Sequence, residues 1–134
     1  MTKIPKNIFF IYLEGVHEIP VPLLNNIKEI DQNNPGWTVT IYDKKMAEEF
    51  IDREYGAKTL STYKSINSQY YAARADFLRY LICHKYGGVY LDVKVQLDKP
   101  LGEILNCDDE FLLLQWDTQR ASLGYGQWPE LSHI

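Results

Sequence analysis

Ile8-Phe9-Phe10-Ile11-Tyr12-Leu13 is an unbroken apolar run of β-branched and aromatic residues, bounded by Pro5 before it and Glu14-Gly15 after. Such a run predicts a strand buried on both faces. After Pro20 and Pro22, Leu23, Leu24, Ile27 and Ile30 recur at helical spacing until Asn33-Asn34-Pro35-Gly36 stops the pattern. Trp37 to Tyr42 predicts a second strand ending at Asp43, and Lys44 to about Arg53 a charged amphipathic helix carrying Met46, Ala47, Phe50 and Ile51. Residues 55–66 have no clean period and read as a loop with at most a helical turn. From about Asn67 to Tyr86 the pattern is helical and nearly apolar all round, which predicts burial on most sides, with Gly87-Gly88 as the stop.

The rhythm then changes. Val89, Leu91, Val93, Val95 and Leu97 alternate with Tyr90, Asp92, Lys94, Gln96 and Asp98, which predicts a strand with one polar face ending at Pro100. Leu101 to Leu105 reads as a helical turn and Phe111 to Gln115 as another buried strand, while Trp116 to Ile134 shows no period. The order strand–helix–strand–helix–long helix–strand–strand implies an α/β domain with a mostly parallel central sheet flanked by helices. Residues 1–134 read as a single domain without internal repeat or linker. In such sheets a ligand binds beyond the carboxyl ends of the strands. Those ends are Tyr12-Leu13-Glu14, Tyr42-Asp43, Asp92 to Lys94 and Gln115-Trp116-Asp117.

Composition narrows the classes. Lys plus Arg number 14 against 18 Asp plus Glu, a net charge of −4. Without a basic cluster there is no footprint for a nucleic-acid backbone. No apolar run reaches the length of a membrane span, and the amino-terminal run is too short for a signal-peptide core, so the expected location is cytoplasmic. Cys83 and Cys107 form no CxxC or Cys/His cluster and are expected as buried thiols. Aromatic residues make up 13% of the chain, with ten Tyr, five Phe and three Trp, and they collect at the strand ends, where rings stack on sugars or bases. Trp37 reads as core and Trp116 as a ligand candidate; His17, His84 and His133 are dispersed, with His84 packed on the long helix. There is no GxSxG, Walker, HExxH or dinucleotide fingerprint.

Two segments carry chemistry. Asp92 and Lys94 would stand side by side on the polar face of their strand, a face that is either solvated or built for a ligand. Arg74, Asp76 and Arg79 interrupt the apolar helix before it, where charge is costly unless paired or used on a ligand. Asp76 and Arg79, three apart, share a face and also suit a simple surface ion pair.

Ala73-Arg74-Ala75-Asp76-Phe77-Leu78-Arg79-Tyr80, followed by Tyr86-Gly87-Gly88-Val89-Tyr90-Leu91-Asp92-Val93-Lys94, resembles the core of the DXD-containing glycosyltransferases. That family includes initiating mannosyltransferases, capsular sugar transferases and the glucosyltransferase domains of clostridial toxins. Ile4 to Leu13 is similar to its opening strand, and Asn34-Pro35-Gly36-Trp37 with Ile41-Tyr42-Asp43 to its second, so the likeness runs from about residue 4 to 115. The resemblance implies a half-Rossmann-like nucleotide-diphospho-sugar transferase fold. It also implies transfer of a sugar, with retention, from a UDP- or GDP-linked donor to a glycan or polysaccharide acceptor.

On these positions the resemblance places Ile11, Tyr12 and Leu13 at the nucleoside, and Asp43, Arg74, Tyr90 and Trp116 along the donor. Asp76 would hold sugar hydroxyls and Arg79 sugar or phosphate oxygens. Asp76, Arg79, Asp92 and Lys94 would form the catalytic set, with Asp92 the metal-facing acid for Mn²⁺ or Mg²⁺. The chain departs from the family at Lys94, which stands where the second acid belongs. An ammonium cannot ligate a hard cation. Lys94 pairs with the diphosphate in place of metal, or Asp92 holds the metal with Asp98 or Asp117, or the domain binds donor without catalysis. A doubly wound domain with an accidental motif is the plainest alternative. Related chains continue further, so the resemblance also implies a donor-binding half whose acceptor part lies in a missing carboxyl-terminal region or a partner chain.

Overall fold

The computed structural model describes residues 2–111 together with the strand segments Leu114–Gln115 and Leu131–Ser132. The elements are β1 (Asn7–Ile11), a 3-10 turn (Val16–Glu18), α1 (Val21–Asn33), β2 (Thr38–Tyr42), α2 (Lys44–Tyr55), α3 (Ala57–Ser65), α4 (Tyr71–Tyr86), β3 (Val89–Tyr90), α5 (Leu101–Ile104), β4 (Leu114–Gln115) and β5 (Leu131–Ser132). The central sheet has the order β2-β1-β3, all parallel, and β4 pairs antiparallel with β5. This is the expected α/β architecture with a mainly parallel sheet between helices.

β1 explains why its sequence is apolar on both sides. Ile8 and Phe10 face one core with Ile27 and Ile30 of α1, Val89, Leu91 and Leu101. Phe9 and Ile11 face a second core with Ala47, Phe50 and Ile51 of α2, Tyr63 of α3, and Leu78 and Ile82 of α4. Alternate side chains of one strand therefore anchor two helical layers. Trp37 packs half-buried against the first core, in the structural role its sequence context suggests.

Three expectations about the elements change. Residues 57–65 form a full helix, α3, where a loop was expected; Gly56, at φ +87°, separates it from α2, and its core anchor, Tyr63, is too isolated to set a period. α4 is not apolar all round: only the stripe Arg74, Leu78 and Ile82 is buried, while Ala72, Ala73, Asp76 and Tyr80 are exposed. The third change concerns the strand expected over Val89 to Leu97, which keeps its ladder only at Val89–Tyr90. After one more bond, from the Leu91 N–H to the Phe9 carbonyl, the chain leaves the sheet. Asp92 causes the departure: its Oδ1 accepts the Lys94 N–H at 2.9 Å and its carbonyl accepts the Val95 N–H at 2.9 Å, a turn for which aspartate is well suited. Lys94 is thus on a turn and not beside Asp92 on a pleated face. Burial nevertheless continues to alternate to Leu97, because this segment still packs one side on the first core. Neither cysteine is buried as expected; Cys107 is exposed and Cys83 half-buried, both as free thiols.

Beyond the turn the segment runs to the opposite end of the sheet. The Asn26 amide donates to the Val95 carbonyl, and Asp98 reaches a cleft of about 330 Å³ with Asn33, Asn34 and Pro100, near the start of β2. Asn34 fastens this end: its amide donates to the Ile30 carbonyl and its oxygen accepts the Leu101 N–H, both at 2.7 Å.

Candidate functional site

β1 is flanked by β2 on one side and β3 on the other, so successive connections leave it in opposite directions. The crevice beyond the carboxyl ends of β1 and β3 is the place where a sheet of this kind accepts a ligand. Gly87 and Gly88 aim the chain into it. At φ +64° and +96° they adopt conformations L-residues rarely take, and a Cβ on Gly88 would lie 2.5 Å from the Asn7 carbonyl oxygen. This pressed contact brings β3 beside β1 and sets Tyr90 and Asp92 toward that end of the sheet.

α4 supplies the other wall. Asp76 and Arg79 form an ion pair, Oδ1 to Nη2 at 3.1 Å, in which the arginine side chain is 12% exposed and the aspartate 62%. The guanidinium is held between two rings, 5.1 Å from the centroid of Tyr80 and 5.1 Å from that of Tyr90. Its Nε is buried without a hydrogen-bond partner among the described residues. A buried charged donor in that state is costly. The Tyr90 phenol is pushed up to about 12, first by burial and then by the Asp92 charge; Arg79 pulls the other way, and Asp76 and Cys83 add to the rise. Burial likewise raises the Cys83 thiol, against the pull of Arg79. Asp76, Arg79, Tyr90 and Asp92 therefore share one electrostatic neighbourhood. Tyr80, 58% exposed, joins it; sequence periodicity did not single it out, and only its adjacency to Arg79 hinted at the stacking.

The remaining candidates have other surroundings. Ile11 and Leu13 are buried in the second core, and Tyr12 continues the β1–β2 ladder through its N–H to the Tyr42 carbonyl at 2.9 Å. Asp43 caps α2, its Oδ1 accepting the Met46 N–H at 2.8 Å. Arg74, 7% exposed, spends Nε on the Ile66 carbonyl and Nη2 on those of Ile66 and Lys64, at the end of α3. Trp116 and Asp117 lie outside the described residues. A cavity of about 720 Å³ borders β3 and α5 but is lined by none of Asp76, Arg79, Tyr90 and Asp92.

A family model of glycosyltransferase sugar-binding regions containing a DXD motif matches residues 20–112. The chain belongs to that family. It is 30% identical over 102 residues to an uncharacterised glycosyltransferase of Acanthamoeba polyphaga mimivirus, covering 76% of this chain and 40% of that one. Over 90 residues it is 32% identical to inositol phosphoceramide mannosyltransferase 3 of Schizosaccharomyces pombe, covering 67% of this chain and 24% of that one. A mannosyl phosphorylinositol ceramide synthase of Saccharomyces cerevisiae is 30% identical over 102 residues, with 76% and 26% covered. The chain thus spans between about a quarter and two-fifths of the length of these relatives. In structure it is similar to the PaToxG glycosyltransferase, with a TM-score of 0.58 and 21% identity over 74% of this chain and 45% of that one. That likeness establishes the nucleotide-diphospho-sugar transferase type of fold.

The family's motif implies a divalent cation, and the described residues do not fit one. Lys94, which the resemblance sets at the position of the second acid, carries an ammonium that cannot ligate a cation, and one oxygen of Asp92 accepts the Lys94 N–H. Asp98 is at the far end of the sheet. Among the described residues no group of three His, Cys, Asp or Glu is arranged to hold a metal ion. Nor is any helix among them long and apolar enough to cross a membrane.

Proposed function

We propose that this chain handles the nucleotide-sugar donor of a glycosyltransferase that builds a glycan or polysaccharide. The observation that carries the reading is the gathering of Asp76, Arg79, Tyr90 and Asp92 where β1 and β3 end. A sugar diphosphate needs a carboxylate to accept from hydroxyls, a cation to meet phosphate oxygens, and a surface to lie against. Asp76 takes the first role, Arg79 the second and Tyr90 the third, with Asp92 on the ribose and Tyr12 near the nucleoside. Catalysis in this reading is electrostatic. The bond between the anomeric carbon and the diphosphate oxygen breaks with its electron pair on the phosphate. The acceptor hydroxyl oxygen bonds to that carbon on the same face, and its proton passes to the departing oxygen. UDP- and GDP-linked sugars are the donors to screen; a cytoplasmic setting belongs to the same reading.

Titration calorimetry with a panel of UDP- and GDP-sugars is the direct test, paired with a transfer assay whose product configuration is read by NMR. Arg79→Ala is expected to weaken donor binding at least tenfold, about 1.4 kcal/mol. Failure of every donor and of both free nucleotides to bind would sink the reading. The second reading, binding without transfer, is favoured by Lys94; calorimetric binding without any turnover would select it.

A further inference from the structure

We propose that Lys94 takes the place of the divalent cation, so that its ammonium and the Arg79 guanidinium together hold a nucleoside diphosphate without metal. This rests on the donor-site reading above. The turn at Asp92 fixes the Lys94 backbone nitrogen 2.9 Å from an Asp92 carboxylate oxygen, so the lysine stem starts beside the group that would otherwise approach a metal. Lys94 is exposed, and among the described residues no carboxylate pairs with its ammonium. A flexible lysine is a competent point-charge ligand for phosphate. A divalent cation brought to Asp92 would instead share that carboxylate with the Lys94 N–H and be opposed by the lysine's charge two residues on. Lys94 adds one positive charge to the site, beside an Arg79 whose own charge is shared with Asp76.

Calorimetry of the intact chain with UDP and with GDP, each in EDTA and in Mn²⁺, tests this. The expected result is binding in EDTA within threefold of that in Mn²⁺, a loss of at least tenfold in EDTA for Lys94→Ala, and retention of most affinity by Lys94→Arg. Lys94→Asp should bind weakly in EDTA and regain affinity in Mn²⁺; circular dichroism of each variant checks that it is folded. Binding by the unaltered chain only in Mn²⁺ would overturn the lysine proposal while leaving the donor reading intact, and so would Lys94→Ala binding like the unaltered chain in EDTA. Absence of binding in both conditions would overturn the two together.

Discussion

Gly88 leaves no space for a side chain, since an added Cβ meets the Asn7 backbone at 2.5 Å and the backbone sits at φ +96°. Gly88→Ala should therefore cost at least about 2 kcal/mol in urea unfolding, from strain and overpacking together. Gly102→Ala, where nothing lies within 4 Å, serves as the control and should fall within about 0.5 kcal/mol of the unaltered chain. Tyr90 carries a pH signature. Its phenol ionises near 12 in the folded chain against 10.0 ordinarily, so the unfolded chain loses its proton first. The stability it supports is whole below pH 10 and is lost as pH rises from 10 through 12, amounting to about 2–3 kcal/mol. Burial raises Tyr42, Tyr55 and Tyr63 in the same direction, so the alkaline loss is shared; Tyr90→Phe should make it shallower in urea titrations across that range. Single residues were legible in the sequence where one local rule governs them, as at the glycine pair. Arg74 was not, because Arg74, Asp76 and Arg79 look equivalent until the contacts with Ile66 and Lys64 separate them.

At the scale of elements, α3 depends on a side chain from outside it. Arg74 of α4 meets the carbonyls of Lys64 and Ile66 and lies 5.2 Å from the Tyr63 ring centroid, closing the end of a nine-residue helix that carries no side-chain N-cap bond. Arg74→Met should cost about 2–4 kcal/mol and speed amide exchange first in α3, which exchange mass spectrometry would resolve; unchanged protection there would show that the helix holds itself. This dependence is why residues 57–65 read as loop: the helix is held by contacts that no window of its own sequence contains. α1 and α2, by contrast, were legible because each turns an apolar stripe to a core. The alternation after Gly88 was read correctly as burial and wrongly as a ladder. Period two reports which side chains face inward, and a turn closed by Asp92 can end the hydrogen bonding without disturbing that order.

For the molecule as a whole, the proposed donor site draws on three distant stretches of chain: β1, α4 and the segment after β3. A nucleotide that binds there should stabilise the entire fold, by about 2.7 kcal/mol at a hundredfold excess over Kd, measurable as a rise in Tm. Exchange protection should increase first and most over α4 and residues 89–95. The family and the α/β layering were legible from motif and period, whereas the stacking of Arg79 between Tyr80 and Tyr90 needed the tertiary structure. The sheet register has a further consequence, for the order of events at the ribosome. β1 finds β2 within the first 42 residues, but Ile8 meets Val89 only after a further stretch that includes three helices has been made. At translation rates of about 5–20 residues per second, one edge of β1 waits for seconds with its backbone unpaired. During synthesis the β3-facing edge of β1 is therefore the later of its two edges to have a partner available, and it is the edge with the longer exposure to mispairing.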